Sequence, residues 1–243
     1  MLALITGTAL QAVFPKPTSS AFRNTPYGAP SGPILKVPIG GNRVYCLNRH
    51  GLEGQTAAHL VNYRANIWAL KELGITRVIA TATVGGINPS LDRGDLVVPD
   101  QVIDYTYGRE QTFVGMRKIN HFDFTFPFDT DLRDTLIRSL PAQFQSEQHM
   151  VGTYGVTQGP RFETAAEIDR FRQDGCDLVG MTLMPEAALA REAEIRYAAL
   201  CLVVNPAAGV EEGEVDIEDT ATVTKRAIQG LGGMLERVVE LIQ

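Results

Sequence analysis

Short apolar stretches rich in β-branched residues alternate along the chain with stretches of helical spacing, and this alternation limits the possible folds more than any other feature. Seven stretches have the length and composition of buried strands. They are residues 2–5, 44–47, 78–81, 96–98, 151–156, 178–179 and 198–204. Such alternation is typical of α/β proteins, in which helices cover a central sheet. The sequence therefore predicts an α/β fold.

Two segments have the spacing of apolar residues that predicts an amphipathic helix. The first runs from Leu60 to Leu73, and Gly74 stands where a C-terminal cap is expected. The second is an apolar stripe from Ile217 to Ile242 near the end of the chain. We expect this last helix to pack across the sheet.

Length and composition predict one large domain over residues 1–243. The chain is 44% hydrophobic and 21% charged, which is ordinary for a globular protein with a full core. No internal repeat or low-complexity stretch divides it, and we interpret the proline-rich residues 15–33 as a surface excursion rather than a domain boundary. Parallel α/β proteins of this length often form single domains.

Charge, hydropathy and cysteine usage narrow the possible partners, cofactors and location of the protein. The net charge of −6 argues against a nucleic-acid footprint or a polybasic membrane surface. The apolar runs are too short to span a membrane. The three cysteines are far apart in the chain, and no histidine stands at metal-ligand spacing. We therefore expect a cytoplasmic protein with reduced thiols, and neither a metal nor an organic cofactor.

Four predicted strands are followed by small residues, hydroxyls or exposed backbone N–H groups. These segments are residues 6–8 (Thr-Gly-Thr), 48–51 (Asn-Arg-His-Gly), 82–86 (Ala-Thr-Val-Gly-Gly) and 180–182 (Gly-Met-Thr). Ligands of open α/β folds collect at the carboxyl ends of strands. A phosphate group requires hydroxyl and amide donors together with a guanidinium. The four segments together predict a phosphate site that is neither a Walker loop nor a GxGxxG turn.

A second group of residues suits a flat heterocyclic ring. Phe162 and Glu163 follow a Gly-Pro turn, where the aromatic ring can stack on a heterocycle and the carboxylate can accept a hydrogen bond from a ring N–H. The alternative is a core phenylalanine and a first-turn glutamate that favours the helix dipole. Asn205 directly follows the last predicted strand, where its amide offers one donor and one acceptor, although Asn before Pro is also a common turn residue.

Several of these segments together carry a specific resemblance. They are residues 48–51, 61–70, 84–87 with 94–95, 159–164 and 180–186. With them, the whole chain resembles the trimeric purine nucleoside phosphorylase and methylthioadenosine phosphorylase family. The resemblance implies a central mixed β-sheet flanked by helices, a homotrimer, and inorganic phosphate as the co-substrate.

The resemblance also implies roles for individual residues. The residues that would hold phosphate are Thr8, Arg49, His50, Thr83 and Thr182. Ala82 belongs to the same predicted site, but related chains have Thr or Asn there, and Ala9 stands where methylthioadenosine enzymes have Gly. Met181 would lie against the ribose, and Phe162 would line the base pocket. His121 would reach the 5′ end of a substrate across the subunit interface.

The base-binding residues indicate the substrate. Methylthioadenosine enzymes typically have an Asp-x-Asp pair at residues 205–207 and no carboxylate at position 163, whereas this chain has Asn205 and Glu163. Glu163 can accept from the N1–H of a 6-oxopurine, while the Asn205 amide donates to O6 and its carbonyl accepts a hydrogen bond from the N7–H that forms as the base departs. Adenine would set its N1 lone pair against the carboxylate, at a cost of about 1 to 3 kcal/mol.

These observations predict phosphorolysis of a 6-oxopurine nucleoside, with S-methyl-5′-thioinosine yielding hypoxanthine and 5-methylthioribose 1-phosphate. We assign catalytic roles to Asn205, Glu163 and His50, and expect His50 to orient phosphate or ribose rather than act as an obligatory acid. A general phosphorylase for inosine and guanosine, or a methylthioadenosine phosphorylase, is the alternative. A nucleosidase would have no use for the phosphate donors, and a binding module would leave the glycosidic bond intact.

Overall fold

The computed structural model describes residues 1–7, 17–21, 24–115 and 120–242, without the side chains of residues 217, 219 and 228–230. Its strands are β1 (Leu2–Thr6), β2 (Ser19–Ala21), β3 (Ile34–Ile39), β4 (Asn42–Asn48), β5 (Arg77–Gly86), β6 (Leu96–Val97), β7 (Gln101–Asp104), β8 (Thr153–Val156), β9 (Leu178–Gly180) and β10 (Arg196–Pro206). Its α-helices are α1 (Tyr63–Glu72), α2 (Thr130–Ser139), α3 (Glu147–Met150), α4 (Ala165–Gln173), α5 (Leu183–Glu192) and α6 (Ile217–Leu241).

Each of the seven predicted strand segments contains a strand, and three further strands, β2, β3 and β7, have no strong sequence signal. Lys36 and Pro38 interrupt the apolar pattern of β3, and β7 is only partly buried along its length. Strand β2 lies inside the segment that we interpreted as a surface excursion, where it pairs with β3. Strands β2 and β7 end the main path of the sheet, and edge strands need not be continuously apolar because one side of their backbone faces no neighbour. Strand β3 lies between β2 and β4.

The two predicted helices are present, and α1 has the predicted Gly74 cap together with an N-cap that was not predicted. The side chain of Asn62 accepts a hydrogen bond from the backbone N–H of Ala65 and starts α1. Gly74 has a φ of 74° and donates to the carbonyl of Lys71, as a left-handed C-terminal cap requires. The long α6 packs against β10 and α2.

The strands form one mixed sheet. Its main path runs β2-β3-β4-β1-β5-β9-β8-β7, and β10 pairs with β5 and β6 off this path. The pairs β1–β4, β1–β5, β5–β10, β7–β8 and β8–β9 are parallel, whereas β2–β3, β3–β4, β5–β9 and β6–β10 are antiparallel. The predicted α/β class with a central mixed sheet is therefore confirmed.

Helices cover both faces of the sheet. On one face, Ile67 and Leu70 of α1 and Leu189 of α5 are buried with inward residues of the central strands. On the other face, Leu136 of α2 and Leu235 of α6 are buried in a second apolar cluster. Successive strand residues point to opposite faces, so continuous apolar runs such as that of β10 supply both clusters.

A split in the sheet beside β5 creates room for a ligand. On one side, β10 follows β5 from Arg77 to Gly86. On the other side, β5 pairs first with β1 over residues 77–80 and then with β9 over residues 85–86. Residues 81–84 therefore have no partner there among the strands that the structure describes. Ligand sites of open α/β sheets form where neighbouring strands diverge.

Candidate active site

A pocket of about 440 Å³ opens at the split in the sheet. Its wall comes from the loop after β4, the second half of β5, the loop after β8, the turn between β9 and α5, the end of β10 and the start of α6. Residues predicted from sequence that lie on this wall are His50, Thr83, Met181, Thr182, Phe162, Glu163 and Asn205. The volume is typical of a small-molecule site.

Threonine hydroxyls near the split are prepared for a ligand. The Thr182 hydroxyl is buried and has no hydrogen-bond partner within the described part of the chain. Thr83 lies in the stretch of β5 that pairs with β10 but with neither β1 nor β9, and it exposes its side chain at the pocket. An unsatisfied buried hydroxyl costs about 1 to 3 kcal/mol, and a hydrogen bond to a ligand would remove this cost for Thr182.

The guanidinium of Arg49 is fully buried beside a carboxylate. Its Nε and Nη2 donate to the two carboxylate oxygens of Glu186 at 2.6 and 2.7 Å, and its Nη1 donates to the carbonyl of Thr81 at 3.1 Å. The Tyr197 hydroxyl also donates to Glu186, at 2.8 Å. Burial alone would lower the pKa of Arg49, but Glu186 raises it above its ordinary value, so the guanidinium stays charged.

The ring of His50 is oriented by a backbone carbonyl. Its Nδ1 lies 2.7 Å from the carbonyl oxygen of Thr56. A carbonyl only accepts, so Nδ1 carries the proton and the neutral ring keeps its lone pair on Nε2. Burial, and then the charge of Arg49, lower the pKa of His50 below its ordinary value of 6.5. His50 therefore offers the pocket an acceptor at neutral pH.

The carboxylate of Glu163 is held on the pocket wall by one short hydrogen bond. The Thr157 hydroxyl donates to its Oε1 at 2.5 Å. Thr157 continues β8, and its backbone N–H bonds the carbonyl of Gly180 at the end of β9. Phe162, on the same loop, is 44% exposed and presents its ring at the pocket. The loop after β8 therefore offers an acceptor and an aromatic face, as predicted.

A bulge in β10 positions Asn205. The register between β5 and β10 shifts between Val203 and Asn205, so that Asn205 pairs with Gly85. Bulges re-aim side chains near functional sites. The Asn205 side chain is buried and lies on the pocket wall, where its Nδ2 donates to the carbonyl of Pro206 at 2.6 Å. The second N–H and the Oδ1 of the amide are the groups that a ligand can use.

Comparisons with known proteins agree with this geometry. Residues 2–240 match the family model described as the phosphorylase superfamily. The chain belongs to this superfamily.

Two curated relatives and one solved structure are close to this phosphorylase. A probable S-methyl-5′-thioinosine phosphorylase of Pseudomonas syringae pv. tomato is 45% identical over 89% of this chain and 88% of the relative. An S-methyl-5′-thioadenosine phosphorylase of Mycobacterium tuberculosis is 44% identical over 88% of this chain and 78% of the relative. The methylthioadenosine phosphorylase of Schistosoma mansoni in complex with adenine superimposes with a TM-score of 0.91 at 30% identity, covering 99% of this chain and 91% of that structure.

Four predicted site residues of the phosphorylase are not on the described pocket wall. Thr8 lies outside the described residues. Arg49 is buried in its pair with Glu186. Ala82 is buried inside β5, and His121 is exposed on the surface. The structure thus places on the wall most of the residues predicted to bind base and ribose, and half of those predicted for phosphate.

Sequence reasoning missed several residues that shape the pocket. Residues 55–58 line it from the loop after β4, and Thr220 lines it from α6. Glu186 ends the segment 180–186 that carries the family resemblance, but its partner Arg49 stands 137 positions away. Arg109 bonds the loops after β8 and β9 and has no motif of its own. Glu186 had a signal in its segment, whereas Arg109 had none.

The remaining sequence expectations concern metal binding, membrane-spanning helices and the three cysteines. Among the described residues, no group of three or more His, Cys, Asp or Glu side chains is arranged to hold a metal ion. Within the same part of the chain, no helix is long and apolar enough to cross a membrane. Cys46, Cys176 and Cys201 are buried free thiols. The predicted absence of a metal or organic cofactor stays a prediction.

Proposed function

We propose that this protein phosphorolyses 6-oxopurine nucleosides, and S-methyl-5′-thioinosine in particular. The products are hypoxanthine and 5-methylthioribose 1-phosphate. The observation that carries the proposal is the Glu163 carboxylate on the pocket wall together with the amide of Asn205. The relative from Pseudomonas syringae, named for the same 6-oxopurine substrate, supports it.

The base is recognised by complementary hydrogen bonds. The Thr157 hydroxyl donates to Oε1 of Glu163, which leaves Oε2 as an acceptor for the N1–H of hypoxanthine. The free N–H of Asn205 donates to O6, and its Oδ1 accepts from N7–H of the departing base. Adenine lacks the N1–H and so leaves the carboxylate unmatched. Phe162 covers a face of the purine ring.

Phosphate attacks from the side of the threonine hydroxyls. A phosphate oxygen bonds to C1′ as the bond from C1′ to N9 breaks, and the electron pair of that bond moves onto the purine. Arg49 uses three of its five N–H groups on Glu186 and Thr81, and we assign the other two to phosphate together with Thr83, Thr182 and Thr8. The bound phosphate stabilises the positive charge that builds on the ribose.

His50 acts as an acceptor on the phosphate or the ribose. With Nδ1 bonded to the carbonyl of Thr56, its Nε2 accepts from a ribose hydroxyl or from a protonated phosphate oxygen. Met181 packs against the ribose from the turn after β9. No covalent enzyme intermediate is required, since phosphate itself is the nucleophile.

The 5′ end of the substrate is completed by a second copy of the chain. His121 is exposed and does not belong to the described wall of the pocket. In a homotrimer it reaches the 5′ group in the neighbouring subunit, where the methylthio group of the substrate lies. Sedimentation of the protein, together with activity of mixtures of His121→Ala and Asn205→Ala chains, tests this arrangement. Activity that returns on mixing supports a shared site, and no return contradicts it.

Two other nucleoside phosphorylases remain as candidates. The relative from Mycobacterium tuberculosis is named for methylthioadenosine, and so is the similar structure from Schistosoma mansoni. An enzyme for ordinary inosine and guanosine would use the same base contacts without the methylthio pocket. Hydrolysis is less compatible with the site, because Thr83 and Thr182 would then have no anion to bind.

Base release separates these functions. The substrates are methylthioinosine, methylthioadenosine, inosine and guanosine, each with and without inorganic phosphate. We expect phosphate-dependent release that is fastest with methylthioinosine. Faster release from methylthioadenosine would overturn the assignment of Glu163 and Asn205, and faster release from inosine would overturn the methylthio preference alone. Release without phosphate would identify a hydrolase.

A further inference from the structure

Arg109 links two loops that carry pocket residues, although it is not itself on the described pocket wall. Its Nη1 donates to the carbonyls of Met181 and Met184 at 2.8 and 2.6 Å. Its Nη2 donates to the carbonyls of Thr157 and Gln158 at 3.1 and 2.9 Å, and its Nε donates to the side chain of Gln158 at 3.1 Å. All five N–H donors of the guanidinium are therefore used.

The two loops have little else to hold them in register. Strands β8 and β9 pair in parallel up to Val156 and Gly180, and the backbone N–H and the hydroxyl of Thr157 lie 2.8 and 3.4 Å from the carbonyl oxygen of Gly180. Beyond this point the chain turns away on both sides into the pocket wall. Arg109 bonds both loops just beyond the point where the hydrogen-bonded pairing of β8 and β9 ends. Its side chain therefore takes over from the backbone hydrogen bonds that hold the two strands together.

Each of these loops presents a substrate-binding group. Thr157, whose carbonyl accepts from Arg109, donates its hydroxyl to Glu163. Met181, whose carbonyl also accepts from Arg109, is the residue that we assign to the ribose. Gly159 brings the loops into contact, since a Cβ at this position would lie 2.5 Å from the Met181 sulfur. Arg109 therefore adds to the ladder and to the Gly159–Met181 contact the side-chain link that joins the loop of the base acceptor to the loop of the ribose contact.

The segment that carries Arg109 is itself anchored to the core. The Thr112 hydroxyl and the Phe113 N–H donate to the two carboxylate oxygens of Glu192 at the end of α5, both at 2.9 Å. The hydroxyl of Tyr27 donates to the Phe113 carbonyl at 2.8 Å. Arg109 thus reaches the loops from a fixed backbone, which a residue on a loosely held segment could not do.

We propose that Arg109 is a positioning residue for nucleoside recognition, which sets the distance between Glu163 and Met181 by bonding the backbones of their loops. The inference rests on the proposed function, because it assigns these two residues to base and ribose. A lysine at this position has three N–H donors on a flexible stem and cannot reproduce a planar fork that spans two loops.

The test compares Arg109→Ala and Arg109→Lys with the matched control Arg64→Ala. Arg64 reaches the same segment, since it lies 3.5 Å from the Thr112 carbonyl and pairs with Glu110, but it bonds neither loop. Displacement of a positioned group by about 1 Å can cost about 100-fold in rate. We expect Arg109→Ala to lower kcat/KM for inosine-type nucleosides by about 100-fold and Arg109→Lys by less. Arg64→Ala should stay within about threefold of the wild type.

The ratio of inosine-type to adenosine-type turnover separates positioning from a merely structural role. A smaller folded fraction reduces both activities equally, whereas a displaced Glu163 reduces the preference itself. We expect the ratio to fall about tenfold in Arg109→Ala and to remain unchanged in Arg64→Ala. A parallel loss with both nucleosides, or no loss at all, would overturn the proposal.

Amide hydrogen exchange tests whether Arg109 holds the two loops without requiring any substrate. Peptides that cover residues 157–163 and 181–184 should exchange faster in Arg109→Ala and Arg109→Lys than in Arg64→Ala. If the wild type releases no base from any nucleoside, the proposed function fails while this measurement still reports on the link. Equal exchange in all variants would show that Arg109 does not hold the loops, whatever the enzyme acts on.

Discussion

The proposed phosphate end and the proposed base end of the site are built in different ways. At the phosphate end, Arg49 and Glu186 are both fully buried, and Tyr197 adds a further hydrogen bond to their ion pair. At the base end, Phe162 is 44% exposed, and Glu163 has one hydrogen bond to a neighbouring side chain. Charge is thus fixed inside the core at one end, whereas polar groups at the other end stand on a surface loop.

The difference follows from what each end must do. A phosphate is the same in every reaction cycle, so its charge partner can be buried and kept rigid at the split in the sheet. Bases differ in the pattern of donors and acceptors at N1 and position 6, so the groups that read them decide specificity. A loop can exchange such groups without disturbing the core. Substitutions in the buried ion pair should therefore change stability, whereas substitutions at the base end should change selectivity.

The largest expected effect comes from breaking the buried ion pair. Glu186→Gln leaves the charge of Arg49 uncompensated in the interior, and we expect it to lower the free energy of unfolding by about 3 to 5 kcal/mol. Urea denaturation measures this change. Asp169→Asn is the control, because its pair with Arg172 is exposed and should contribute less than about 1 kcal/mol. If both variants lost less than about 1 kcal/mol of unfolding free energy, the buried ion pair would not stabilise the fold more than the exposed one does.

Asn205→Ala should have the next largest effect, and on catalysis rather than on folding. We expect kcat/KM to fall by about 2 to 4 kcal/mol, mostly through kcat, because the contact with N7 strengthens as the base departs. Steady-state kinetics with methylthioinosine give the value, and denaturation of the same variant is the control for stability. A loss below about tenfold would remove Asn205 from the catalytic group.

Glu163→Gln tests whether the base end sets selectivity. A glutamine can donate to N1 of adenine, so the preference for inosine-type over adenosine-type nucleosides should fall by about 1 to 3 kcal/mol. Competition between the two nucleosides measures this ratio directly. Glu167→Gln is a matched control on the same segment, since glutamine is also accepted in the capping box that Glu167 forms with Thr164. An unchanged ratio in Glu163→Gln would show that another group reads N1.

The smallest effect is the pH dependence that His50 contributes where the two ends meet. Its pKa in the folded protein lies below 6.5, so the unfolded chain binds the proton first as the pH falls. Stability should therefore decrease below pH 6.5 until the folded-state pKa is passed, and this contribution should be constant above pH 6.5. Denaturation curves across this range should show a shallower decrease in His50→Gln. An equal decrease would assign the titration to another group.

Patterns of neighbouring residues in the sequence predicted much of the fold and several side chains of the proposed base end. Strand and helix periodicity placed α1 and α6, and the turn before Phe162 and Glu163 pointed to two residues that lie on the pocket wall, whose role in binding a ring stays a prediction. These features depend on residues close together in the chain. Strand β3 was missed because Lys36 and Pro38 break its apolar pattern. The structure tolerates Pro38 because it lies beyond the three β3 residues that pair with β2.

The sequence by itself determined the α/β class, the helix caps and the side chains that follow each strand, because these depend on neighbouring residues and on the alternation of apolar runs. Only the tertiary structure decided that β5 separates from β1 and turns to β9, that Arg49 faces Glu186 across 137 positions, and that Arg109 bonds a loop 72 positions away. Such contacts depend on strand order and on the register between distant segments. Local periodicity carries no information about either, and this is why the link between the two loops could be found only in the folded chain.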